Sequence, residues 1–161
     1  MFKNDKATDN YGSYDNLYTK IDHFIPKNKT IYEPFYLDGK SGECLRKMGC
    51  KNVIHLDIDF FKNVDELDYD IIISNPPFSK RKQILDKLFE IDKPFILTLM
   101  PSVLSCKWFL RNYGNKALQL IIPHTRSKCY NPTLNKTNYT PYGGMFYFCY
   151  KMNLQHDLNF V

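Results

Sequence analysis

The residues with the clearest chemical meaning are Ser74-Asn75-Pro76-Pro77-Phe78. Two successive prolines fix φ and remove two backbone donors, so a corner built from them presents carbonyl oxygens. Asn75 adds a side-chain amide oxygen, and Phe78 adds a flat apolar face. This set suits an exocyclic amine on a planar ring. The amine would donate its hydrogens to the Asn75 oxygen and the Pro76 carbonyl while the ring stacks on Phe78. Its nitrogen lone pair is then aimed at an electrophile. If that electrophile is already activated, as a sulfonium methyl is, positioning and electrostatics supply most of the acceleration and no strong base is required. Pro-Pro pairs also occur in ordinary surface turns, so the surroundings decide.

Those surroundings are a strand. Asp70 to Ser74 (DIIIS) is the continuous apolar run of a strand buried on both faces, and it leads directly into Asn75. In an open parallel sheet, ligands bind beyond the carboxyl ends of the strands. Upstream, Thr30-Ile31-Tyr32 reads as a strand that breaks at Glu33-Pro34, followed by the glycine-bearing loop Leu37-Asp38-Gly39-Lys40-Ser41-Gly42. A helix over 43–48 ends at Gly49, and 52–56 (NVIHL) is a second strand. Ile84, Leu85, Leu88 and Phe89 have the spacing of an amphipathic helix. A strand at 95–100, a helix around Trp108 and a strand at 118–122 follow. Gly143-Gly144 then turns into an aromatic strand, FYFCY. The N-terminal thirty residues carry weak helical spacing at Leu17, Ile21 and Phe24-Ile25, stopped by Pro26. Strand and helix alternate, which predicts an α/β sheet with helices on both faces and a last strand that enters antiparallel. The polar, turn-rich segment 125–142 reads as a mobile surface loop.

Composition bounds the rest. The 161 residues suffice for one domain, and hydrophobic residues at 43% with aromatics at 16% allow a core of useful size. No apolar run reaches the roughly 20 residues of a membrane span, and the first residues lack a signal-peptide apolar stretch. Five cysteines without a CxxC pair fit a reducing compartment better than a disulfide framework. Together these predict an intracellular protein, cytoplasmic or nuclear, with no membrane partner. The four histidines lie far apart, so no metal site is expected. Cys106 reads as a packed thiol, and Trp108 as a core residue. The net charge is +5, from 22 basic against 17 acidic residues, and 18 of the 22 are Lys. That excess suits a polyanionic partner through phosphate attraction more than through bidentate base reading.

With these residues in place, the chain resembles the class I S-adenosylmethionine-dependent amino-methyltransferases. Among them it is most similar to the DNA adenine N6-methyltransferases. Their motif of Asn, Asp or Ser followed by Pro-Pro and an aromatic is matched by Asn75, Pro76, Pro77 and Phe78. Their cofactor loop is similar to Glu33, Pro34 and Phe35 through Gly39 and Gly42, and their later acidic positions to Asp57 and Asp59-Phe60. Tyr11, with Asp9-Asn10, resembles their N-terminal methionine-binding segment, here 1–29. The resemblance covers about 8–110. It implies a Rossmann-like class I methyltransferase fold over 1–161, mostly parallel with an antiparallel C-terminal strand, and S-adenosylmethionine as cofactor. The activity it implies is methyl transfer to the N6 amine of adenine in DNA.

Gly39 and Gly42 would let backbone amides approach the cofactor, whereas Leu37 stands where family members often carry glycine. A phosphate-binding loop at Gly39-Lys40-Ser41 is excluded, because its earlier glycine would fall at Pro34. Asp57 is assigned to ribose and Asp59-Phe60 to the adenine of the cofactor, with the reverse order or a solvated turn left open. Lys80, Arg81 and Lys82 are either phosphate contacts beside an extruded base or the solvated first turn of a helix. The short stretch between Leu56 and Asp70 predicts a truncated sheet. The same motif serves enzymes acting on RNA amines and protein amides, so those substrates remain alternatives, as does a decayed methyltransferase fold that only binds. No separate target-recognition domain fits this length, so target choice falls to 125–142, to a protein partner or to a homo-oligomer.

Overall fold

The computed structural model describes residues 12–13, 15–126, 129–131, 136–139 and 144–161. Its centre is a seven-stranded sheet in the order β10-β6-β9-β5-β4-β2-β3. The strands are β2 (Thr30–Tyr32), β3 (Asn52–Ile54), β4 (Ile71–Ser74), β5 (Phe95–Leu99), β6 (Leu118–Ile122), β9 (Phe146–Tyr150) and β10 (Leu158–Phe160). β3, β2, β4 and β5 pair in parallel, and so do β6 and β10. The aromatic strand β9 lies antiparallel between β5 and β6, from Phe95 opposite Tyr150 to Leu99 opposite Phe146. The α/β class, the mostly parallel pairing and the antiparallel C-terminal strand therefore agree with the sequence expectation.

Alternation along the buried strands builds two cores. Ile72, Leu97, Phe148 and Tyr150 pack on one face against α4 (Arg81–Ile91), α5 (Lys107–Tyr113) and Phe60 of α3 (Phe60–Asn63). Ile71, Ile73, Ile96, Tyr147 and Cys149 pack on the other against α1 (Asp15–Thr19) and α2 (Lys40–Lys47). Each fully buried Ile or Leu contributes roughly 2 kcal/mol, so this two-sided packing supplies most of the drive that orders the strand ends. The end of α4 is tied to β9. Asp92 closes the helix at φ +61, and its carboxylate accepts from the Tyr150 hydroxyl at 2.7 Å and from Lys151 Nζ at 2.5 Å.

Between β3 and β4 the chain holds only α3 and turns, with no further strand, where the sequence predicted a shortening. Two features differ from expectation. β10 adds an edge strand after the aromatic strand. Within 125–142, β7 (Cys129–Asn131) and β8 (Lys136–Tyr139) pair antiparallel, and β7 also pairs with β1 (Gly12–Ser13). This second, three-stranded sheet joins residues more than a hundred positions apart, which no local pattern could announce. Among the described residues no helix is long and apolar enough to cross a membrane.

Candidate active site

Parallel pairing brings the carboxyl ends of β2, β3 and β4 to one edge of the sheet, and with them the loops that begin at Glu33, His55 and Asn75. The joint between these loops is Glu33, whose side chain is 1% exposed. Its carboxylate accepts three hydrogen bonds: from the Tyr18 hydroxyl of α1, from the Ser74 hydroxyl at 2.6 Å and from the Phe35 N–H at 3.1 Å. Burial pushes the Glu33 carboxyl above the usual carboxylate range, opposed by His55 and by the bonds from Ser74, Tyr18 and Phe35. One side chain thus couples the first helix, the loop after β2 and the last residue before Asn75.

His55 is a second joint. Its Nδ1 faces the Glu33 carbonyl at 2.7 Å, an acceptor only, so Nδ1 carries the proton and donates. Nε2 lies 3.3 Å from the Ser41 hydroxyl, and the ring stacks on Tyr36 with centroids 4.8 Å apart. A Cβ on Gly42 would stand 2.5–2.7 Å from three atoms of that imidazole. Gly42 is therefore small to admit His55, which differs from the expected cofactor approach. Gly39, at φ +82, sets the turn into α2. Leu37 has φ +47, the left-handed region that favours glycine. The backbone at Leu37 is thus one that glycine adopts more readily than leucine.

Asn75 and Phe78 are half-buried, and Pro76 and Pro77 are buried. The Asn75 side-chain oxygen is also out of contact with solvent. The loop after Pro77 is closed on itself. Lys80 N–H donates to the Pro77 carbonyl at 3.2 Å, and Arg81 Nη1–H donates to the Phe78 carbonyl at 2.7 Å. Arg81 is thereby turned back onto the loop that precedes it, and Lys82 is paired with Asp86 at 2.7 Å. Both lie in the first turn of α4. Lys80 is half-buried.

The other expected cofactor residues divide. Asp57 is exposed beyond β3. Asp59 caps α3, accepting from Lys62 N–H at 3.1 Å. Phe60 differs from the expected stacking residue: it has no exposed surface, and its ring meets Phe35 at 5.4 Å and Phe61 at 5.0 Å. Pro34 is buried, Phe35 is half-buried, and Tyr11 lies outside the described residues. Ser74, Tyr18 and His55 were missed as supports of the site. Ser74 had a signal, a polar residue closing an otherwise apolar strand; the other two had none.

What remains at the surface by this edge is Tyr36, Leu37 and Leu56, all large apolar groups, with the exposed carboxylates Asp38 and Asp57 beside them. Asp38 is paired with Lys40 at 3.1 Å, and an apolar surface next to the Asp57 carboxylate suits a nucleoside, whose ring needs cover and whose ribose hydroxyls need acceptors. Of the residues expected to meet the cofactor, Asp57 is open to a ligand, beside the exposed Tyr36, Leu37 and Leu56, whereas Glu33 and Phe60 are buried. No protein-family model matches this chain, and no curated protein matches it.

Proposed function

We propose that this protein transfers a methyl group from S-adenosylmethionine to the N6 amine of adenine in DNA, on a Rossmann-like class I methyltransferase fold. The observation that carries the reading is the Asn75-Pro76-Pro77-Phe78 corner at the carboxyl end of a central parallel strand. There it is keyed through Ser74 and Glu33 to the loop after β2. The antiparallel strand beside β5 supports the same reading. Bound S-adenosylmethionine would supply an electrophilic methyl; Asp57 would take the ribose hydroxyls, and Tyr36 and Leu56 would cover the adenine.

The chain's own work is positional. Asn75 Oδ1 and the Pro76 carbonyl accept the two amine hydrogens and hold the nitrogen lone pair toward the methyl, and Phe78 covers the base. A duplex adenine has to leave its stack to reach them. The buried Asn75 oxygen means that the corner opens to admit the base. A second reading, a methyltransferase fold that binds without catalysing, is favoured by the burial of Glu33 and Phe60.

The test is methyl transfer from labelled S-adenosylmethionine to DNA, RNA and protein pools. Label is expected on adenine N6 in DNA. Label in RNA or protein alone would move the substrate, and binding of S-adenosylmethionine without transfer would favour the second reading. Asn75→Ala should lower the transfer rate at least about a hundredfold while calorimetric affinity for S-adenosylmethionine stays within about threefold, that is, under 1 kcal/mol. Equal loss of both would place Asn75 in the cofactor site instead.

A further inference from the structure

The two edges of the main sheet are treated differently. At the β3 edge, Ile54 turns its carbonyl inward to the Glu33 N–H, so Val53 faces outward. Its carbonyl is covered by Arg46, whose Nη2–H donates to it at 3.0 Å. At the β10 edge the inward groups are those of Asp157 and Val161. Leu120 N–H donates to the Asp157 carbonyl, Val161 N–H donates to Ile122, and the Val161 carbonyl accepts from His124. Alternation then turns both backbone groups of Leu158 and of Phe160 away from β6. Among the described residues no strand pairs with that side.

The side chains on this edge are apolar as well. Leu158 is 51% exposed and Phe160 is 63% exposed, on the same sheet face as their β6 partners Leu120 and Ile122. The strand carries none of the usual guards of an edge, neither lysine, proline nor bulge. Asn159 points to the opposite face, where its amide donates to the His156 carbonyl at 2.8 Å and the Leu120 carbonyl at 3.3 Å. It ties β10 to β6 and to the turn that precedes it.

From these features we infer that β10 is a dimerisation edge, whose partner is β10 of a second copy of this chain. An antiparallel two-fold pairing centred on Asn159 sets Leu158 of each copy opposite Phe160 of the other. Each such pair exchanges two hydrogen bonds, four in total, and the four apolar side chains share one face. The ends are complementary in charge. Asp157 immediately precedes β10. Lys20 lies toward the other end of the strands, its Nζ on the Thr125 carbonyl at 2.6 Å just beyond β6. Antiparallel pairing brings Asp157 of one copy to Lys20 of the other, twice, whereas a parallel pairing would set like ends together. This inference is independent of the proposed methyl transfer.

Sedimentation of the full chain from micromolar to near-millimolar concentration tests it. The wild-type chain should pass from monomer to dimer and no further. Leu158→Pro deletes an N–H that points outward and leaves the β6 pairing intact, so the fold is retained and the dissociation constant rises about thirtyfold or more. Phe160→Lys, which places a charge on the edge, should do the same. Asp157→Lys should weaken the dimer, and Lys20→Asp in that background should restore it. A chain that stays monomeric throughout, or a dimer indifferent to both Leu158→Pro and Phe160→Lys, overturns the inference. Circular dichroism establishes that each variant is folded.

Discussion

A carboxylate removed from water needs donors, and Glu33 has three from three separate segments. The bonds matter more than the charge, because burial raises the Glu33 carboxyl above its ordinary value and so works against ionisation in the folded state. Such a group contributes stability at low pH that is lost as pH rises through its folded value. Glu33→Gln keeps an acceptor for Ser74 and Phe35 and offers an amide to the Tyr18 oxygen. It should match the wild type near pH 4 and exceed it at pH 7, as read by denaturant unfolding at several pH values. Glu33→Ala removes the acceptor of all three bonds and should cost about 3 kcal/mol at either pH. If Glu33→Gln were as damaging as Glu33→Ala at pH 7, the charge itself would be the structural requirement. Ser74 is a lesser partner at the same joint, and its neighbour Asn75 inherits its position from that bond.

At the scale of elements, the turn from β2 into α2 depends on two backbone positions and one ring. Leu37 holds a left-handed φ of +47 and Gly39 one of +82. A leucine there costs about 1 kcal/mol, so Leu37→Gly should stabilise the fold by up to about 1 kcal/mol, less the entropy a glycine loses. Gly42→Ala should destabilise by about 2 kcal/mol or more, because the imidazole it would strike is held by Glu33, Ser41 and Tyr36. In a His55→Ala background the same change should be close to neutral, since the ring is gone. A Gly42→Ala penalty that persists without His55 would show that the contact is not the cause. The loop after β4 is fastened differently, by Arg81 on the Phe78 carbonyl.

At the scale of the whole molecule, the main sheet has a core on each face, and the candidate site lies at the carboxyl ends of β2, β3 and β4. Its surface charge is less available than the net +5 suggests. Lys82 is paired with Asp86, Lys87 with Asp65 and Lys151 with Asp92, at 2.7, 2.7 and 2.5 Å. Exposed pairs of this kind contribute at most about 1 kcal/mol to stability, and a phosphate can compete for their lysines. Duplex DNA should therefore bind at low salt and weaken between ten- and a hundredfold from about 50 to 200 mM salt, the slope of two to three phosphate contacts, measured by fluorescence anisotropy. An affinity flat in salt would remove phosphate contact from the account of this protein.

The sequence by itself determined the alternating class, the positions of β2, β4, β5, β6 and β9, and the corner at Asn75, because each depends on neighbours within a few residues. Unbroken apolar runs, prolines and glycines are local instructions. It could not disclose that Glu33 is spent on Ser74 and Tyr18, or that Gly42 is small for His55. Those contacts join residues 13 to 41 positions apart and exist only once parallel strands align their ends. Nor could it disclose β10, three residues with a polar one at the centre, or the pairing of β1 with β7. Strand edges are chosen by the sheet they join, and only the packed molecule decides which backbone groups are left facing out.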